Sequence, residues 1–92
     1  MKKIFLDTNV WLRFLLQDEQ GQGKACVALM ELIEMGHFRP YTATVVLLEV
    51  HYVLTTVYKI PLEEVIKDID VIRHTRGLTL LERTDFDKAF ML

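Results

Sequence analysis

The sequence predicts an α/β fold built on a short parallel sheet. Short apolar runs begin at Lys3, Phe38 and Leu78, each of a length that suits a buried strand. Stretches with helical spacing fill the intervals between them. Strands joined through helices pair in parallel, through right-handed crossovers. The expected order is β, α, α, β, α, α, β, α.

Each element has a local reason. Lys3 to Leu6 is an apolar run that ends at polar residues, so it reads as a strand and a turn. Asn9 is a good N-cap for a short helix through Trp11, Leu12, Leu15 and Leu16. Gln17 to Gly23 is polar and glycine-bearing, hence a loop. Ala25, Ala28, Leu29, Leu32 and Ile33 give one apolar face to a helix from Lys24 to Met35, which Gly36 ends. Phe38 to Tyr41 reads as a brief strand because of Pro40. Thr42 or Thr44 then caps a third helix through Tyr58. Pro61 suits a first helical position, and Leu62, Val65, Ile66, Ile69 and Ile72 share one face up to Gly77. Leu78 to Leu81 is the third strand. Thr84 caps a last helix, with Asp87 in a capping-box-like place.

Composition bounds the function. The chain has 92 residues, 51% hydrophobic and 26% charged, which fits one small globular domain. Its formal net charge of −2 means that any nucleic-acid surface is local. The single cysteine, Cys26, excludes an internal disulfide and reads as a small core residue in a reducing compartment. Only Ile4, Phe5 and Leu6 separate Met1-Lys2-Lys3 from Asp7, too few for a signal peptide, and no run approaches the ~20 apolar residues of a membrane span. A cytoplasmic protein is expected.

Two carboxylates stand out. Asp7 falls at the carboxyl end of the first strand, where functional groups of open α/β sheets collect. A helix-capping or turn role is the commoner reason for an aspartate there. Glu49 is the only acid in "TVVLLEVHYVL", the most apolar stretch of the chain, which predicts a helix buried over most of its circumference. A buried carboxylate is costly unless paired or metal-bound. Arg13 is one candidate partner, and a metal ion is the other. Hard oxygen donors favour Mg²⁺ or Mn²⁺.

The remaining chemistry-bearing residues point elsewhere or nowhere. His37, His51 and His74 lack zinc-finger spacing with Cys26, and His51 reads as structural. There is no GxxxxGK[ST] or GxGxxG phosphate loop. Trp11 reads as core or interface. Arg73, Arg76 and Arg83 cluster near the third strand and read as a solvated surface, with phosphate contact the alternative. Asp85 and Asp87 read as helix-start residues. A receiver-like phosphate-binding domain is disfavoured, because a single Asp7 ends the first strand and Glu82 follows the third.

"FLDTNVWLRFLL" followed by "TATVVLLEVHYVL" closely resembles a PIN domain, in particular the VapC-type toxins of toxin–antitoxin pairs. The spacing of "KIPLEEVIKDIDVIRHTRGLTLLE" extends the resemblance over most of the chain. It implies a three-layer α/β sandwich and a metal-dependent ribonuclease. Asp7 would be the first acid and Glu49 the second, with Mg²⁺ or Mn²⁺ as cofactor. Thr8 and Asn9 would support them, Asn9 by hydrogen-bonding a carboxylate or a metal-bound water. RNA would be the substrate, and an antitoxin-like protein and a second copy of the chain the partners.

The family's third acid lies in a segment resembling "DFADALIA", and a fourth follows the next strand; neither segment is found here. "TDFDKAFML" echoes the third-acid motif, but its place after the third strand matches a different helix, so neither Asp85 nor Asp87 takes that role. The expectation is a single domain over residues 1–92 that corresponds to the amino-terminal part of the family pattern. "KKIFL" would then be an exposed apolar edge, covered by self-association. A non-catalytic interaction module, docking a partner through Trp11, Phe14 and Leu15, is the competing reading.

Overall fold

The computed structural model describes residues 2–17 and 22–82. Three parallel strands form one sheet in the order β1-β2-β3: β1 (Lys2–Phe5), β2 (Phe38–Ala43) and β3 (Thr79–Leu81). Helices α1 (Thr8–Leu16) and α2 (Gln22–Glu34) connect β1 to β2. Helix α3 (Thr44–Tyr52), a π-turn (Val53–Val57) and α4 (Leu62–Arg73) connect β2 to β3. The α/β class and the parallel sheet are as the sequence predicts. The final helix expected from Thr84, the polar loop after Gln17 up to Gly21, and Arg83, Asp85 and Asp87 lie outside the described residues.

The alternation along the strands decides what the helices cover. Leu6, Pro40 and Thr42 are buried and Ile4 is half-buried, whereas Lys3, Phe5, Arg39 and Thr79 are exposed. Among the described residues the helices therefore cover one face of the sheet and leave the other open. Those residues form two of the three layers that the resemblance implies. Among the described residues, strand β1 pairs with β2 alone.

The core fills the space between the covered face and the helices. Leu6, Trp11, Ile33, Val50, Leu54, Val65 and Ile72 are all nearly or completely inaccessible. Burying each such side chain contributes roughly 1.5–3 kcal/mol. Cys26 is a buried free thiol, as its apolar neighbours suggest.

Several local expectations change. The cap of α1 is Asp7, not Asn9, because the chain turns into the helix immediately after the strand. Neither Thr42 nor Thr44 caps α3; Ala43 occupies that place without a side-chain bond. Pro61 is the N-cap of α4 and not its first helical residue. Gly36, at φ +85°, does end α2: its N–H donates to Ile33 O and that of His37 to Leu32 O, the paired bonds of a left-handed helix stop. Helix α4 ends earlier than Gly77, with His74 as its C-cap, and Gly77 instead serves the turn into β3 at φ +71°.

Strand β2 is the longest of the three despite Pro40. Leu6 N–H donates to Tyr41 O, so Tyr41 faces β1 and Pro40 faces the β3 side. Pairing with β3 begins only at Tyr41, so the missing proline N–H interrupts no ladder bond.

The third helix is not continuous. Thr55 Oγ1 donates to the carbonyls of His51 and Tyr52, and Tyr58 N–H reaches back to Val53 O, which widens the last turn. Helix α4 buries Val65 and Ile72 and half-buries Ile69. Leu62 and Ile66 are exposed, although they share the predicted apolar face.

Candidate functional site

The site is built from the end of β1. Leu6 is fully buried and held on both sides of its peptide: its N–H donates to Tyr41 O at 2.8 Å, and its carbonyl accepts from Thr42 Oγ1 at 2.9 Å. Thr42 Oγ1 in turn accepts from the Trp11 indole Nε1–H at 3.1 Å. One buried hydroxyl thus ties β1, β2 and α1 together at the point where the chain leaves the sheet. Thr42 was missed as a site-positioning residue, because a threonine before a helix reads as a cap. Its only sequence signal is a hydroxyl between Tyr41 and Ala43, just ahead of an apolar helix.

Asp7 follows this anchor directly and is exposed. Its backbone is extended, at φ −84° and ψ 178°, and its Oδ1 accepts from Val10 N–H at 3.1 Å. The carboxylate therefore caps α1 and also lies at the positive end of that helix, which favours an anion. This cap gives a complete structural reason for an aspartate at the end of "IFLDTNV". Thr8 is buried at the first helical position and Asn9 is exposed beside it.

Glu49 is exposed, which corrects the expectation of a buried carboxylate. Helix α3 turns Val46, Leu47 and Val50 inward, and Val45, Leu48, Glu49 and Tyr52 outward on one stripe. Three of the four outward residues are apolar, so composition alone hid the exposed side. An exposed Glu49 carboxylate is solvated and needs no counter-charge. Among the described residues Glu49 forms no ion pair, with Arg13 or otherwise.

Topology sets Asp7 and the start of α3 at one end of the sheet. The parallel register pairs Phe5 with Tyr41, so Asp7 and the start of α3 at Thr44 both follow carboxyl ends of adjacent strands. Glu49 lies five residues into α3, about 7.5 Å along its axis. Helices α1 and α3 pack against each other. Thr44 Oγ1, at that same end, is a buried side-chain oxygen without a hydrogen-bond partner among the described residues.

The donor types suit a hard divalent cation, but their number does not make a cage. Among the described residues no three His, Cys, Asp or Glu side chains lie close enough to hold a metal ion. His51 lines a small cavity together with Ile66, Ile69, Asp70 and Arg73 of α4. Of the arginines, Arg76 is engaged: its Nη1 donates to Glu34 O at 2.8 Å and its backbone N–H to Glu34 Oε1 at 3.1 Å. Trp11 is wholly buried, so it is core and cannot dock a partner; Phe14 and Leu15 are half-buried. No helix among the described residues is long and apolar enough to cross a membrane.

No curated protein matches the chain. The family profile of the PIN domain matches residues 3–92. That span contains the turn from β1 into Asp7, the Thr42–Trp11 anchor, Glu49, β2 and β3. With a profile match along nearly its whole length and a parallel α/β sheet to go with it, the chain belongs to the PIN domain family.

Proposed function

We propose that this PIN domain is a metal-dependent ribonuclease of the VapC toxin type, hydrolysing RNA phosphodiester bonds. The observation that carries the reading is Asp7, held at the carboxyl end of β1 and the start of α1 by a buried three-way anchor, in a chain of the PIN family. PIN domains generally use divalent metals. Asp7 and Glu49 would contribute oxygen donors to Mg²⁺ or Mn²⁺, although the described residues alone do not complete such a site. When bound, the ion supplies charge neutralisation at the phosphate and a more acidic water. The chain's own part is positional. The α1 N-terminus and the Val10 N–H fix one Asp7 oxygen, and Asn9 stands exposed beside it to orient the site. The protein is proposed to act in the reducing cytoplasm, as a homo-oligomer and under control of an antitoxin-like protein.

The test is divalent-dependent cleavage of a structured RNA by the 92-residue chain, beside Asp7→Asn. The reading expects cleavage in Mn²⁺, none in a chelator, and a loss of about 10²-fold or more in the variant. Cleavage that survives Asp7→Asn unchanged contradicts it.

A second reading has its own observation. A groove of about 680 Å³ runs between α1, α2 and the end of α4, lined by Phe14, Val27, Met30, Met35 and Val71, with Glu31 and Glu34 beside them. It suits an apolar, basic segment of an antitoxin-like partner. Binding of such a segment together with no cleavage by the wild-type chain favours a non-catalytic interaction module.

A further inference from the structure

Asp7 is exposed, yet buried groups determine its position. Before it, Leu6 O accepts from the Thr42 hydroxyl at 2.9 Å. After it, Asp7 O accepts from the Trp11 backbone N–H at 3.3 Å. The Trp11 indole N–H donates to the same Thr42 hydroxyl at 3.1 Å. Trp11 therefore reaches the peptide carbonyls on both sides of the Asp7 Cα, one directly and one through Thr42. With both carbonyls held, the Asp7 backbone has little freedom to turn. Its Oδ1 is held in turn by Val10 N–H at 3.1 Å. That leaves Oδ2 as the carboxylate oxygen with no partner among the described residues, in one orientation.

The network stands alone in the core. Among the described residues, the two bonds of the Thr42 hydroxyl are the only side-chain hydrogen bonds that are fully buried. The core around it, with Leu6, Ile33, Val50 and Leu54, is apolar. A buried hydrogen bond adds little net stability over apolar packing and is costly when one member is missing. What a fully satisfied buried network supplies is a unique arrangement. Here that network lies directly behind Asp7.

We propose that Trp11 and Thr42 are positioning residues of the candidate site, which fix the direction in which the Asp7 carboxylate presents Oδ2 to a divalent ion. The proposal rests on the reading of Asp7 as a nuclease's metal-binding carboxylate, and deepens it. Mg²⁺ demands near-ideal placement of its oxygen ligands. A small misplacement of a group in the reacting constellation lowers turnover even when the substrate still binds. Neither Trp11 nor Thr42 touches the ion or the RNA; both act through Asp7.

The test joins nitrogen-15 relaxation of the Asp7, Thr8 and Asn9 amides, measured in chelator, to RNA cleavage in Mn²⁺. The variants are Thr42→Val, which removes the hydroxyl, Thr42→Ser, which keeps it, and Val65→Ala, which weakens the core on α4 without touching these bonds. All are read at a temperature where circular dichroism shows them folded. In Thr42→Val the order parameters of the three amides fall from about 0.85 toward 0.6. Its kcat falls about 10²-fold with KM within about 2-fold. Thr42→Ser restores both, and Val65→Ala changes neither. If Thr42→Val does not fold, Trp11→Phe is read in its place, since it removes the indole donor and leaves the Thr42–Leu6 bond. Amides that stay ordered in the folded variant overturn the proposal, as does equal loosening in Val65→Ala, which would make the role merely structural. Cleavage lost in Asp7→Asn but unchanged in folded Thr42→Val overturns it too, and keeps the nuclease reading. Amides that loosen only in Thr42→Val, with no cleavage by the wild type, do the reverse: the nuclease reading fails and the clamp on Asp7 stands.

Discussion

Replacing Thr42 by valine tests how the start of α1 is held. The two side chains are nearly the same shape, so the change removes a hydroxyl and little else. In the native protein that hydroxyl donates to Leu6 O and accepts from Trp11 Nε1–H, and all three residues are fully buried. Valine leaves one donor and one acceptor without partners where water cannot reach them. Each unsatisfied buried group costs about 1–3 kcal/mol. The loss should be about 2–4 kcal/mol, because Leu6 O and the indole can relax a little. For a domain of this size 1 kcal/mol moves the melting midpoint by about 4–8 °C, so Thr42→Val should melt at least ~8 °C lower. Calorimetry or denaturant unfolding reads this directly. A companion Trp11→Phe variant removes the indole donor, and the double variant should lose less than the two singles added together, by about 1 kcal/mol. A Thr42→Val loss below about 0.5 kcal/mol, or strict additivity, would refute the three-way anchor.

Other outcomes follow from the same geometry. Asp7→Ala should cost about 1 kcal/mol through loss of the cap on Val10 N–H, whereas Asp7→Asn keeps a capping oxygen and stays within about 0.5 kcal/mol in denaturant unfolding. Glu49→Gln should leave stability within about 0.5 kcal/mol, since the side chain is exposed and unpaired among the described residues, while RNA cleavage falls. Gly36→Ala forces a side chain into the left-handed region at φ +85° and should cost about 1 kcal/mol, visible as a lower melting temperature. Burial first, and Glu64 second, push the Asp68 carboxyl above its ordinary range. The folded state then holds that proton more tightly than the unfolded chain, so the Asp68 contribution to stability falls as pH rises through the carboxylate range. Asp68→Asn should therefore be relatively more stable at pH 7 than at pH 3, and the opposite trend in paired melting curves would overturn the assignment.

The strands and helices were legible in the sequence because each had two signals, an apolar run and a nearby stop. Gly36 is an example: a helical face ends, and a residue tolerant of positive φ follows. What failed were choices between neighbours. Asp7 and Asn9 are both good caps, and only the tightness of the β1–α1 turn selects Asp7. Thr42 and Thr44 both resemble caps, yet Thr42 is spent on a long-range bond to Leu6 and Trp11, which local pattern cannot show. Glu49 was misread because apolar residues fill both sides of α3. Whether Val45, Leu48 and Tyr52 face the core depends on which elements pack there, and that is a tertiary fact. The row of Lys3, Phe5, Arg39 and Tyr41 on one sheet face was missed for a related reason. "KKIF" reads as one apolar strand with a basic start, and only the register with β2 puts Lys3, Phe5, Arg39 and Tyr41 together.

Asp7 and Glu49 are proposed to contribute to one divalent-ion site. Paramagnetic broadening of backbone amide signals by substoichiometric Mn²⁺ tests it without relying on activity. A shared site predicts that amides around Asp7 and around Glu49 broaden together at the same Mn²⁺ concentration, and that Asp7→Asn removes both effects. Broadening confined to the Glu63–Asp70 stretch of α4, or broadening near Glu49 that persists in Asp7→Asn, would contradict it.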